Sequence, residues 1–188
     1  YPYALDMKEP RAFSALPKPQ EYFRLRRRMA ADMDRAQEEV AVAEAEFAEL
    51  FGRRYSAVEG YRAEDAEVLL VTSGAPASTA LEAVDILRAR GLKAGNLRVR
   101  QFRPFPTAAL RRLVRPGVKL AVVDRNFSMG HHGVFCEEIK SALYASAAPP
   151  PVFGYVAGLG GGDITVELLC EAWEDCAAGR GNLDAPVW

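Results

Sequence analysis

The fold class the sequence predicts is a three-layer α/β/α sandwich around a mainly parallel sheet, and three observations carry it. Apolar runs of strand length alternate with amphipathic stretches of helix length along most of the chain. The runs are nearly continuous in apolar residues, as in EVLLVT (Glu67 to Thr72) and LAVV (Leu120 to Val123), which marks strands covered on both faces. Turns with glycine or proline separate the runs from the helices, so right-handed crossovers follow. At 188 residues, 49% hydrophobic and 26% charged, the chain is long enough for one well-buried domain and short for two.

Residues 1–20 carry Pro2, Pro10, Pro17 and Pro19, which remove backbone donors and hold their predecessors extended; this is an expected linker or arm. A helix is expected over residues 21–52. Tyr22, Met29, Ala36, Ala43 and Leu50 interleave with Met33, Val40 and Phe47 at steps of three and four, and Gly52 stands where a C′ glycine belongs. At 1.5 Å per residue the helix is about 45 Å long, more than one face of a small sheet requires. It either lies on its own sheet or a neighbouring domain, or pairs as a coiled coil. The Arg26-Arg27-Arg28 run is a solvated face or a salt-bridge site for a partner.

Residues 53–188 form the expected α/β domain. A short edge strand is read in YSAVEGYR (Tyr55 to Arg62) and a buried one in Glu67 to Thr72. SGAPAS follows, with Pro76 at N1 of a helix through Leu81, Val84 and Leu87 to Gly91. NLRVRQF (Asn96 to Phe102) is the next strand, and RPFP turns it into a helix from Thr107 to Val114. Pro116-Gly117 releases the strand ending at Asp124. A helix to about Ala147 follows, then a strand at Val152 to Val156, the GLGGGDIT turn and a last helix through Leu168, Leu169 and Trp173.

Polar groups gather where strands end. Lys119 to Ile139 reads as strand, then Asp124-Arg125-Asn126, then a loop with Gly130 and Gly133, then helix, and open α/β sheets bind ligands at such carboxyl ends. Asp124-Arg125 is either an orienting pair for a substrate carboxylate or an ion pair bracing the strand end. Gly158, Gly160, Gly161 and Gly162, with Ser73 and Gly74 after an earlier strand, are candidates for an anion-binding turn. Asp163 stands at the third glycine position of a dinucleotide fingerprint, where it opposes a pyrophosphate and serves as an N-cap instead. His131, His132 and Cys136 fall short of a metal set, since no other histidine exists. Cys136, Cys170 and Cys176 lack CxxC spacing and read as free thiols. A net charge of -1 gives no electrostatic case for nucleic acid. No apolar run approaches the roughly 20 residues of a membrane span, and no signal peptide is recognisable; the expected location is the cytoplasm. The sequence opens on Tyr1 rather than methionine, so a piece of a longer polypeptide or a trimmed terminus is expected.

The series FGRRYSAVEGYRAEDAEVLLV, VDILRARGLKAGNLRVRQFRPFP, AVVDRNFSMGHHGVFCEEIKSALY and YVAGLGGGDIT resembles the C-terminal part of the alpha subunit of pyruvate:ferredoxin oxidoreductase, over Tyr22 to Thr165. The resemblance implies a transketolase-C-terminal-like domain with a five-stranded sheet and one antiparallel edge strand, for which Val58 to Tyr61 is the candidate. It implies an enzyme that turns pyruvate and coenzyme A into acetyl-CoA and CO2 with thiamine diphosphate, Mg2+ and iron–sulfur clusters, reducing ferredoxin. The GDG segment and paired asparagines that mark the diphosphate site are not in this sequence, and the resemblance places the pyrimidine-binding domain before Tyr1. None of these cofactors is therefore expected on this chain, which is expected to be inactive alone. Its partners would be a thiamine-binding domain or subunit and a ferredoxin-type subunit. Arg103 and Phe105 of the RPFP turn, and Asp124, Arg125, Asn126, Ser128 and Gly130 of the DRN loop, are then expected as contacts to other domains. Gly162 replaces a residue that is usually basic in the family, and the His131-His132 pair is unusual there. The rival reading is a free-standing nucleotide- or CoA-binding module on the Gly158 to Asp163 turn; a third is a coiled-coil adaptor.

Overall fold

The computed structural model describes residues 6–10 and 16–188, so half of the extended arm expected over residues 1–20 lies outside the described residues; of the rest, residues 6–10 make a turn and Pro19 already opens the first helix. The first helix, α1 (Pro19–Phe51), starts two residues earlier than the heptad pattern indicates. Pro19 takes the first helical turn, where its missing N–H costs nothing, and the Glu21 carboxylate accepts from the Lys18 N–H at 3.1 Å. Gly52, in the left-handed region at φ 66°, closes the helix by donating to Ala48.

Five strands follow: β1 (Val58–Tyr61), β2 (Val68–Thr72), β3 (Ala94–Val99), β4 (Lys119–Asp124) and β5 (Val152–Val156). They lie in the order β1-β3-β2-β4-β5. β1 is antiparallel to β3, as expected for the edge, and every other pairing is parallel. The crossovers are α2 (Pro76–Ala89), α3 (Thr107–Leu113) and α4 (Val134–Tyr144), and α5 (Val166–Ala178) follows β5.

Strand alternation divides the core in two. Leu69, Val71, Leu97, Val99, Leu120 and Val122 face α3 and α4, meeting Leu110, Ile139 and Leu143. Val68, Leu70, Ala94, Ala121, Val123 and Phe153 face α2 and α5, meeting Val84, Leu87, Leu169 and Trp173. Trp173 also donates its indole N–H to the Val68 carbonyl at 3.0 Å, which satisfies the one polar atom it buries.

Two boundaries differ from the sequence reading for a physical reason. β3 begins at Ala94, not Asn96, because Ala94 pairs with Val68 and Gly95 with Leu69. A side chain at Gly95 would reach within 2.6 Å of the Arg62 carbonyl and 2.8 Å of Leu69, so glycine here marks close packing inside a strand rather than a turn. α4 ends at Tyr144, with Ala145 as its cap, three residues short of the expected end.

α1 is not laid on its own sheet. Both faces of the sheet are already covered, and none of the helix's residues is buried. Its second half leans on the β1–β3 edge: Gln101 donates to Gln37 at 3.2 Å, and Phe47 meets the Tyr55 ring at 5.5 Å. Its first half presents Tyr22, Met29 and Met33 to solvent at 52%, 49% and 45% exposure. At the other end of the chain, Val187 donates to Gly154 at 2.9 Å and accepts from Val156 at 2.8 Å, which covers the outer edge of β5. Among the described residues, no helix is long and apolar enough to cross a membrane.

Candidate functional site

Asp124 ends β4 on the same side as Leu120 and Val122, under α4, and it is 1% exposed. One carboxylate oxygen accepts from Phe135 N–H at 2.9 Å and from Asn126 Nδ2 at 3.1 Å; the other accepts from Cys136 N–H at 2.9 Å. Asn126 Oδ1 accepts from Val134 N–H at 2.8 Å. The two side chains together satisfy the first free donors of α4, whose N-cap, Gly133, has no side chain to do so. Gly133 is itself required, because a methyl there would fall on the Asp124 carboxylate. Burial pushes the Asp124 carboxyl above its ordinary value against these hydrogen bonds.

Arg125, the next residue, points the other way. Its guanidinium donates to the carbonyls of Gly158 and Gly162, both at 3.1 Å, and so ties the loop after β4 to the loop after β5. The expected ion pair between Asp124 and Arg125 is thus replaced by two separate attachments. The expectation that Asp163 caps the last helix is corrected too: Thr165 is the N-cap, accepting from Leu168 N–H at 3.3 Å, and Asp163 is exposed two residues before it. Gly158 and Gly160 adopt left-handed φ of 68° and 65° and form a tight turn whose carbonyls are spent on a cation of the protein itself. That is unlike a dinucleotide loop, where the N–H groups at the start of the helix face the ligand.

The rest of the loop stands out from the domain. Ser128 N–H donates to His132 and Ser128 accepts from His131, both at 2.9 Å, leaving Met129 and Gly130 exposed at the tip. Arg103 pairs with Glu138 of α4 and stacks over Phe102 at 4.2 Å, while Phe105 packs against the α3/α4 core. Ser73 and Gly74 lie elsewhere on the same carboxyl edge, in a cleft of about 210 Å3 between β2 and β3 lined also by Arg98 and Arg100. The sequence reading missed those arginines. Their signal is the alternation LRVR, which puts both on one side of the strand.

His132 is buried, and its Nε2 lies 3.3 Å from the Lys140 ammonium, an adverse setting for a metal ion. Among the described residues, no group of three or more His, Cys, Asp or Glu side chains is placed to hold one. Burial pushes the Cys136 and Cys176 thiols up to about 11 and about 12, away from the thiolate a cluster ligand needs. Among the described residues the cysteines are therefore not assembled as an iron–sulfur ligand set. Burial, then Lys140 and His131, hold the His132 imidazole below its ordinary value of 6.5. Its folded-state pKa is depressed, so its contribution to stability is full above 6.5 and is lost as pH falls through the folded value. Melting temperatures measured from pH 7.5 to 5.5 should fall toward acid, with a flatter slope in His132→Asn.

Residues 66–169, from the entry to β2 into α5, match the family described as pyruvate:ferredoxin oxidoreductase core domain II. The pyruvate synthase subunit PorA of Thermotoga maritima is 40% identical over 181 residues, covering 96% of this chain and 46% of that protein. The ketoisovalerate oxidoreductase subunit VorA of Pyrococcus horikoshii is 40% identical over 185 residues, covering 97% and 47%. The chain thus spans about half the length of the curated relatives it matches. A 2-oxoglutarate:ferredoxin oxidoreductase from Magnetococcus marinus shares the fold at a TM-score of 0.51 and 23% identity, over 64% of this chain and 20% of that one. A split-gene transketolase does so at 0.52 and 18%, over 68% and 45%. With the match covering four of the five strands and both loops that Arg125 joins, the chain belongs to the pyruvate:ferredoxin oxidoreductase core domain II family.

Proposed function

We propose that this chain is the non-catalytic support and subunit-contact domain of a 2-oxoacid:ferredoxin oxidoreductase alpha subunit. The complete enzyme would convert pyruvate, coenzyme A and oxidised ferredoxin to acetyl-CoA, CO2 and reduced ferredoxin in the cytoplasm. The observation that carries this reading is 40% identity along nearly the whole chain to subunits named for pyruvate synthase and ketoisovalerate oxidoreductase. Thiamine diphosphate, Mg2+ and the iron–sulfur clusters would be held by other domains or subunits, and no chemical step is assigned to a residue of this chain. Its contribution is geometric: a rigid sheet whose carboxyl edge carries Arg103, Phe105, Arg125, Ser128 and Gly130 toward a partner. Asp124 and Asn126, turned inward, set the angle of the loop that presents Arg125 and Ser128.

Arg125 sits on the exposed side of that arrangement, and its two hydrogen bonds are solvent-exposed. Arg125→Ala should cost the isolated domain no more than about 1 kcal/mol while weakening assembly, read as a lower yield of complex by gel filtration at moderate salt. The whole proposal is tested by purifying the native complex through this chain and identifying what accompanies it. A thiamine-diphosphate-binding polypeptide and a ferredoxin-type one are expected; a native chain that purifies alone, at 188 residues and saturable by NAD or coenzyme A, would instead support the nucleotide-module reading.

A further inference from the structure

We propose that the cleft between the carboxyl ends of β2 and β3 is an oxyanion site that takes a phosphate or phosphoryl group, with Arg98 as its principal ligand. The inference goes beyond the support role and does not depend on it. Strand order reverses between β2 and β4; the cleft opens one strand over, at the carboxyl ends of β2 and β3, on the edge where open α/β sheets take ligands. The cleft there holds about 210 Å3 and is lined by Ser73, Gly74, Arg98, Val99 and Arg100.

The charges in it are unequal in their commitments. Arg100 is occupied: Glu59 takes its Nε at 2.6 Å, and the Tyr55 ring lies beneath the guanidinium at 4.4 Å. Arg98 is half-buried, and its guanidinium has no hydrogen-bond or ion-pair partner among the described residues. A guanidinium stays protonated at any physiological pH; the carboxylate opposite it, Glu59 on β1, is engaged by Arg100, so the half-buried Arg98 charge is left without an anion of its own. The Ser73 hydroxyl likewise has no partner among the described residues. Asn96 stands two residues before Arg98 on the same side of β3; it is 1% exposed, receives a hydrogen bond from Thr72 at 2.9 Å, and keeps a buried Nδ2 donor with no acceptor. Three donor groups thus line or underlie one cleft, with no carboxylate among the lining residues. The start of α2, whose N-cap, Ala75, offers no side-chain acceptor, adds its dipole in the same direction. Guanidinium, hydroxyl and glycine in a small cleft match a tetrahedral oxyanion and match neither a cation nor an apolar ligand.

The test is a titration of the 188-residue chain, followed by amide resonances, with inorganic phosphate in one arm and ADP in the other. Saturable shifts centred on Ser73, Gly74 and Arg98 are expected, about tenfold weaker in Arg98→Ala and in Arg98→Gln, which keeps the stem. Arg112→Ala, on the exposed side of α3, should leave the affinity within about twofold. Saturation by phosphate alone identifies the free ion, and tighter saturation by ADP identifies a phosphoryl group of a larger ligand. The proposal is overturned if no shifts centre on the cleft, or if Arg112→Ala weakens binding as much as the Arg98 variants do. It is equally overturned if small anions leave the cleft unmoved while Arg98→Gln weakens subunit assembly, which would make Arg98 a contact for a partner's carboxylate.

Discussion

Asp124→Ala should destabilise the domain by about 3 kcal/mol or more, a drop in melting temperature on the order of 10 °C. Three donors lose their acceptor at once: the N–H groups of Phe135 and Cys136, and Asn126 Nδ2. Loss of a helix cap alone costs about 1 kcal/mol, and each donor left buried and unpaired adds about 1 to 3 kcal/mol. Asp124→Asn keeps one accepting oxygen and should lose less. Gly133→Ala attacks the same joint sterically, placing a methyl on the carboxylate, and should cost about 1 to 3 kcal/mol. The two changes share a partner, so the double variant should fall short of their sum. Chemical denaturation of the four proteins checks both points. Because burial raises the Asp124 pKa, this carboxylate's contribution is fully present below its unfolded pKa and diminishes as pH rises through the folded one, the opposite of the His132 window. A mild stability gain on acidification near pH 4, absent in Asp124→Ala, is the corresponding signature.

The second large effect concerns assembly. Met29→Glu/Met33→Glu places two charges on the exposed stripe of α1, with Tyr22 beside them. No residue of α1 is buried, so the domain's own stability should move by no more than about 0.5 kcal/mol. If the stripe docks on another part of the enzyme, burying two carboxylates in that contact should weaken association by about a hundredfold or more. The curated relatives are about twice as long as this chain, which leaves ample polypeptide to cover the stripe. Analytical ultracentrifugation of the double variant alone and with its partner separates this outcome from a coiled coil: loss of a self-dimer, with partner binding intact, would favour the coiled coil.

The sequence carried the sheet further than it carried the site. EVLLVT and the LAVV run are so apolar that only a doubly covered strand suits them, and both fall where expected. The start of β3 is not legible, because a glycine demanded by a close carbonyl, as at Gly95, looks the same in sequence as a glycine demanded by a turn. The direction of Asp124 was available in principle: it keeps the alternation of Leu120 and Val122 and so had to face α4. What was not available was its partners, which lie 11 and 12 residues on and depend on how the loop returns. The attachment of Arg125 to Gly158 and Gly162 spans more than 30 residues and carries no local pattern. The pairing of Val187 with β5 is equally remote from any periodicity. The interest of Arg98 arises only in three dimensions, where Glu59 opposite it on β1 is engaged by Arg100 and its own guanidinium has no partner among the described residues.

The most direct measurement of the central claim is CoA-dependent pyruvate oxidation, followed by ferredoxin reduction, in three preparations: this chain alone with thiamine diphosphate and Mg2+, its partner polypeptides without it, and the reassembled complex. A support domain predicts activity only in the third, lowered in proportion to complex yield by Arg125→Ala. Turnover by the chain alone, or full turnover by the partners without it, would contradict the account.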